Sequence, residues 1–268
     1  MKKVHSRTPV RVFESPDAIG EHVAQQLLEL FDQARQRAKP FLLGCPTGRT
    51  PRPIYSALAK RLAQNKPDIS HVFLVMMDEY VIKSENGFAY APNDVAWSCH
   101  HFARVEMVDQ LNRNLPSGRR VQGGQVWFPD ARHPELYDEK IADAGGIDFF
   151  MLASGASDGH VAFNPPGSSR DSTTRIIELS ESTRRDNLQT FPEFGSLSAV
   201  PTHGVSVGIA TITAARQAVM VLTGSSKALS LARIVESSEY DSSWPATVIH
   251  ECAGAEILCD ADADQVKP

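Results

Sequence analysis

Val72-Phe73-Leu74-Val75-Met76-Met77 is an unbroken apolar run that ends on Asp78-Glu79-Tyr80. A strand with one wet face would alternate; an unbroken short run reads as a strand covered on both faces, as in a parallel sheet. Asp148-Phe149-Phe150-Met151-Leu152-Ala153 and Ala218-Val219-Met220-Val221-Leu222-Thr223 repeat the pattern.

Working outward, Val10-Arg11-Val12-Phe13 reads as a first strand, and Ser15-Pro16 supplies an N-cap with proline at the first helical position. Ile19, Val23, Leu27, Leu30 and Phe31 then follow at helical spacing on a helix reaching about Ala38. Phe41-Leu42-Leu43-Gly44 predicts another buried strand, followed by a helix carrying Ile54, Leu58 and Leu62. A helix from about Ser226 to Glu236 and a strand over Ala255-Glu256-Ile257-Leu258-Cys259 close the series. Strand and helix alternate without a repeat or a low-complexity linker. The expectation is α/β: a single Rossmann-like domain over 1–268, with a mainly parallel sheet flanked by helices. The stretches 83–95 and 116–134 read as loops or insertions.

Composition narrows the function classes. The 268 residues carry 27 Lys+Arg against 32 Asp+Glu, a net charge of −5, which argues against a nucleic-acid-binding face. Cys45, Cys99, Cys252 and Cys259 are scattered, with neither the clustering of a zinc site nor the density of a disulfide scaffold. The polar Val4-His5-Ser6-Arg7-Thr8 after Met1-Lys2-Lys3 stands where a signal peptide would be apolar, so none is expected, and no apolar run reaches membrane-spanning length. A cytoplasmic protein with no membrane partner is expected.

Ligands of open α/β sheets collect beyond the carboxyl ends of strands, and four segments there carry chemistry. Gly44-Cys45-Pro46-Thr47-Gly48-Arg49-Thr50-Pro51 links a strand to a helix, with hydroxyls on Thr47 and Thr50 and a helix N-terminus for an anion. It lacks the spacing of a nucleoside-triphosphate loop, and a plain structural turn would look similar. Met77-Asp78-Glu79-Tyr80 sets two carboxylates at a strand end; one is a base if burial raises its pKa, and a solvated pair opening a loop is the alternative. Asp158-Gly159-His160 puts an imidazole and an orienting carboxylate on one turn. Gly155-Ala156-Ser157-Asp158-Gly159 fits the GxSxG spacing of hydrolases, but Asn164-Pro165-Pro166-Gly167 stands too close for the helix such a serine requires. Thr223-Gly224-Ser225-Ser226-Lys227 offers a second cation at a strand end, or merely a helix cap with a surface lysine. Together they suggest a phosphorylated small molecule undergoing proton transfer.

The segments PTGRTP (46–51), FLVMMDEYV (73–81), SDGHVAFNPPGSS (157–169), SVGIATITAARQAVMVLTGSSKAL (206–229) and AEILCD (255–260) resemble the glucosamine-6-phosphate deaminase/isomerase family, in the same order and over most of the chain. MDEY and DGHVAFN are the most specific. The resemblance implies a sugar-phosphate aldose–ketose isomerase, coupled in the type enzyme to loss of ammonia from C2. It implies that Asp78 moves a proton between C1 and C2, that His160 oriented by Asp158 assists ring opening, and that Thr47, Gly48, Arg49, Thr50 and Lys227 hold the phosphate. It requires no metal and no organic cofactor, and it leaves room for a homo-oligomer.

Three departures stand out. Pro165 occupies the position of a family glutamate that completes an Asp-His-Glu relay. Ala153-Ser154-Gly155-Ala156-Ser157 replaces a more glycine-rich approach. Gln189 falls where the family has a phosphate-binding arginine, and Arg49 is read as restoring that charge. A 6-phosphogluconolactonase-like hydrolase with His160 as base, and a non-catalytic sugar-phosphate-binding protein, remain the alternatives.

Overall fold

The computed structural model describes residues 7–85 and 87–265. Strand β1 (Val10–Phe13) leads into α1 (Pro16–Gln36), where the Ser15 hydroxyl accepts from the Ala18 amide at 3.2 Å as expected of an N-cap. The helix buries Ile19, Val23, Leu27 and Phe31. Strand β2 (Phe41–Cys45), helix α2 (Arg52–Asn65) and strand β3 (Val72–Met76) follow. Strands β4 (Asp78–Ser84) and β5 (Gly87–Tyr90) come next, then α3 (Cys99–Phe102), a π-helical stretch (Ala103–Val108) and α4 (Asp109–Asn112). The chain continues through β6 (Val126–Trp127), α5 (Leu136–Asp143), β7 (Phe149–Ala153), β8 (Arg175–Glu178) and α6 (Glu181–Thr190). It ends with β9 (His203–Ser206), α7 (Ile209–Thr213), β10 (Ala218–Leu222), α8 (Ala228–Glu236) and β11 (Glu256–Asp260).

Seven strands pair in the order β1-β11-β10-β7-β2-β3-β6, every pair parallel. One face packs on α1 and α2 through Ile19, Leu27, Ile54 and Leu58; the other packs Phe150, Tyr137, Ile209 and Ile234. Gly44 marks how tightly β2 and β7 meet, since a Cβ there would lie 2.2 Å from the Phe150 ring. From β2 the chain moves outward to β3 and β6, whereas from β7 it moves the other way to β10 and β11. That reversal is a topological switch point, and it opens a crevice beyond the carboxyl ends of β2 and β7.

A second sheet, antiparallel and ordered β5-β4-β9-β8, stands beside the first. It corrects the loop expected over 83–95: that stretch carries the end of β4 and the whole of β5, joined as a hairpin whose Gly87 takes φ +114°. The 116–134 stretch is mostly irregular as expected, but Val126–Trp127 inside it pairs with β3 and extends the large sheet. No helix among the described residues is long and apolar enough to cross a membrane.

Candidate active site

The crevice holds a cavity of about 490 Å³. Its walls come from the chain after β2 (Thr47, Gly48, Arg49, Thr50), the start of β4 (Asp78), the loop after β7 (His160) and the loop after β10 (Lys227). Four segments distant in sequence therefore meet in one place. Asp158 stands behind His160 and outside the cavity wall.

Asp78 and Glu79 are neighbours on a strand, so their side chains point to opposite faces. Asp78 faces the cavity, is 5% exposed, and has the Cys99 thiol 3.5 Å from Oδ1. Burial, with Glu79 adding repulsion against the thiol's opposing pull, raises its pKa to about 7. Glu79 is fully buried and does structural work. Its oxygens accept from the Tyr80 amide (2.7 Å), the Ser98 hydroxyl (3.0 Å), the Cys99 amide (3.1 Å), and the His100 amide (2.8 Å) and Nδ1 (2.6 Å). The carboxylate thereby pins the start of α3, and with it Cys99, against Asp78. Tyr80, packed edge-on against Trp97 and Phe194, forms an apolar wall beside Asp78.

The loop after β7 is built around the Asp158–His160 pair. His160 Nδ1 lies 2.7 Å from Asp158 Oδ1, which also accepts from the His160 amide at 3.1 Å. Asp158 Oδ2 accepts from the hydroxyls of Ser182 (2.5 Å), Ser180 (3.1 Å) and Thr183 (3.3 Å) at the start of α6. Burial by itself raises the Asp158 pKa, but the hydrogen bond and charge of His160, helped by Ser182 and the amide, carry it far below the usual carboxylate range. Gly155 makes room for this pair: a Cβ there would sit 2.2 Å from His160 Nδ1 and 2.6 Å from Asp158 Oδ1. Gly159, at φ +66°, lies against the Trp244 indole. No helix follows Ser157, so the GxSxG spacing does not form a nucleophile elbow.

At the other end, Lys227 Nζ donates to the Ser154 carbonyl at 2.5 Å. Burial lowers its pKa, against an opposing pull from Asp186; Arg49 pushes it lower still. Arg49 is exposed on the cavity rim, in the turn that Gly48 makes at φ +89°. The helix N-terminus expected to supply amides contributes less than anticipated. Pro51 and Pro53 have no N–H, and the Arg52 and Ile54 amides donate to the Arg49 and Pro51 carbonyls. Anion donors on this side are thus the turn over 48–50 and the hydroxyls of Thr47 and Thr50.

Pro165 and Gln189 lie outside the cavity wall, and Gln189 is exposed. Helix α6 instead presents Asp186, Asn187 and Thr190 to the cavity. None of these emerged from the sequence as a site residue. A signal was there: Glu181–Thr190 reads ESTRRDNLQT, whose single large apolar residue, Leu188, packs half-buried against an aromatic cluster, so the helix lacks the apolar stripe usual for one packed on a protein. Carboxylate oxygens of Asp158 and Asp186 and a His160 ring nitrogen all lie within 4.8 Å of one another, the spacing of a metal site. Asp158, however, commits both oxygens to His160 and three hydroxyls, which leaves it poorly suited as a ligand.

The family described as glucosamine-6-phosphate isomerases/6-phosphogluconolactonase matches residues 14–258. A glucosamine-6-phosphate deaminase of Dictyostelium discoideum is 35% identical over 226 residues, 84% of this chain and 79% of the relative. One from Shouchella clausii is 30% identical over 253 residues, 92% of this chain and 94% of the relative. In fold, a monomeric glucosamine-6-phosphate deaminase aligns with a TM-score of 0.81 at 22% identity, covering 97% of this chain and 100% of the other. A 6-phosphogluconolactonase from Leishmania guyanensis aligns at 0.68 and 16% identity, covering 97% and 99%. The chain belongs to the glucosamine-6-phosphate isomerase/6-phosphogluconolactonase family.

Proposed function

We propose that the protein converts glucosamine 6-phosphate, or a close amino-sugar phosphate, to a ketose phosphate with release of ammonia. The observation that carries this reading is Asp78: a carboxylate on the cavity wall, with a pKa raised to about 7 and one weak donor. A base of that strength can take a proton from carbon and return it at neutral pH. In the open-chain sugar, Asp78 removes the C2 proton and delivers it to C1. O1 takes up a proton as the nitrogen gives one up, so C1 becomes a hydroxymethyl group and C2 an imine, which water converts to the ketone and ammonia. His160, held by Asp158, assists the opening of the ring. The phosphate lies among Thr47, Gly48, Arg49, Thr50 and Lys227, where two cations and fixed hydroxyls meet a dianion.

Incubation with glucosamine 6-phosphate, following ammonia and ketose, tests the reading. Turnover that disappears in Asp78→Asn is the expected result. Acid release from 6-phosphogluconolactone in its place would assign the lactonase reaction, with His160 as base for water. Binding without turnover of either would assign a sensor. Arg49 is read as the second phosphate cation. Arg49→Ser is expected to raise KM for the phosphosugar about tenfold or more, with kcat within a few-fold. An unchanged KM would place Arg49 in solvent.

A further inference from the structure

His160 stands between two carboxylates of different status. Asp158 is fully engaged and lies off the cavity. Asp186, carried on α6, lines the cavity. Its Oδ2 accepts from the Ala156 amide at 3.1 Å and, at 3.5 Å, from the Ser157 hydroxyl. Its Oδ1 has no hydrogen bond among the described residues. The carboxylate lies within 4.8 Å of the His160 ring and near enough to influence Lys227.

A cyclic sugar cannot isomerise until its C1–O5 bond breaks. That step moves two protons at once: O1–H loses one as C1=O1 forms, and O5 gains one as C1–O5 breaks. His160 has Nδ1 turned to Asp158, so only Nε2 is left for the sugar. One nitrogen serves one end of the step, and the other end needs a second group. Pro165, in the place of the family glutamate, has no side chain able to carry a proton.

We propose that Asp186 is that group, a catalytic residue that takes the O1 proton while the His160 imidazolium gives its Nε2 proton to O5. The proton on Asp186 then returns to His160 through solvent, which restores both groups. A carboxylate from α6, docked on the loop after β7 through the Ala156 amide, thus supplies what that loop lacks. The inference rests on the sugar-phosphate isomerase reading.

Exchange between the α and β anomers of glucosamine 6-phosphate, followed by NMR, reports ring opening without isomerisation. The wild type and Asp78→Asn are both expected to accelerate it. Asp186→Asn keeps an oxygen for the Ala156 amide and is expected to fold with an unchanged Tm, yet to lose about a hundredfold in exchange and in kcat, with KM little altered. Asp186→Glu, which keeps the carboxylate, is expected to stay within about tenfold of wild type. Wild-type exchange and turnover in Asp186→Asn would overturn the role of Asp186 and leave the isomerase reading intact. A raised KM with kcat retained would make Asp186 a counter-charge to Lys227, and equal loss in Asn and Glu variants would make it a packing residue; either overturns the inference. A wild type that neither exchanges anomers nor releases ammonia overturns the isomerase reading and this inference together.

Discussion

Asp78 and Asp158 are the same side chain in the same site, and their surroundings drive them in opposite directions. Asp78 is buried and Asp158 half-buried, and burial by itself raises a carboxylate pKa. Asp78 meets this penalty with one thiol at 3.5 Å and a neighbouring negative charge, so it stays high, at about 7. Asp158 meets it with an imidazole, an amide and three hydroxyls, and falls far below the ordinary range. The number and strength of donors separates them, and the shallower position of Asp158 works in the same direction. One carboxylate is thus set to exchange a proton near neutrality, while the other, held low, hydrogen-bonds a histidine.

The largest way to break this contrast is at Asp78. Asp78→Asn is expected to lower kcat about a thousandfold, the range of a lost general base. The same substitution has a pH-dependent effect on stability. Between the unfolded and folded pKa values the native state binds the extra proton, so wild-type stability falls as pH rises from about 4 to about 7. Asn removes that loss. The variant is expected to match the wild type near pH 4 and to exceed it at pH 8 by up to ~4 kcal/mol, read by chemical denaturation. Equal stability at pH 8 would show that Asp78 is not held in a dry site. Asp158→Asn comes next, with kcat expected to fall about a hundredfold because an amide no longer holds His160 Nδ1 as the carboxylate does. Its acid limb in kcat/KM should stay near 7, since that limb belongs to Asp78. A limb that moved with Asp158 would assign the titration to the wrong carboxylate.

The same contrast explains what could be read from the sequence. The parallel sheet was legible because β2, β3, β7 and β10 are buried on both faces, so their apolar runs are unbroken. The antiparallel sheet was not, because its strands β5, β8 and β9 are only four residues each and mix polar with apolar side chains as loops do. In the site, Asp78, His160 and Lys227 are adjacent to readable strand ends, so topology alone brings them to one crevice. What separates Asp78 from Glu79 cannot be read locally. It depends on Ser98, Cys99 and His100, some twenty residues away, which turn one carboxylate into a structural anchor. Asp158 owes its low pKa first to His160, two residues away and readable as a pair, whereas the hydroxyl of Ser182 that adds to it is reached only through the tertiary fold.

The smallest effect is expected at Cys99, and it sharpens the contrast most directly. The thiol is the only side-chain donor to Asp78 among the described residues, and it pulls the pKa down against burial. Cys99→Ala removes that donor, so the protonated acid gains relative to the carboxylate. The acid limb of kcat/KM should move to higher pH, with activity at pH 6 falling a few-fold and activity at pH 9 unchanged. Cys99→Ser puts a stronger donor on the same carbon, and the limb should move to lower pH. Opposite shifts in the two variants would mean that donors tune Asp78 as they tune Asp158, only more weakly. A limb fixed in both would mean that burial alone sets the base, and that the two carboxylates differ in kind rather than in the number of their partners.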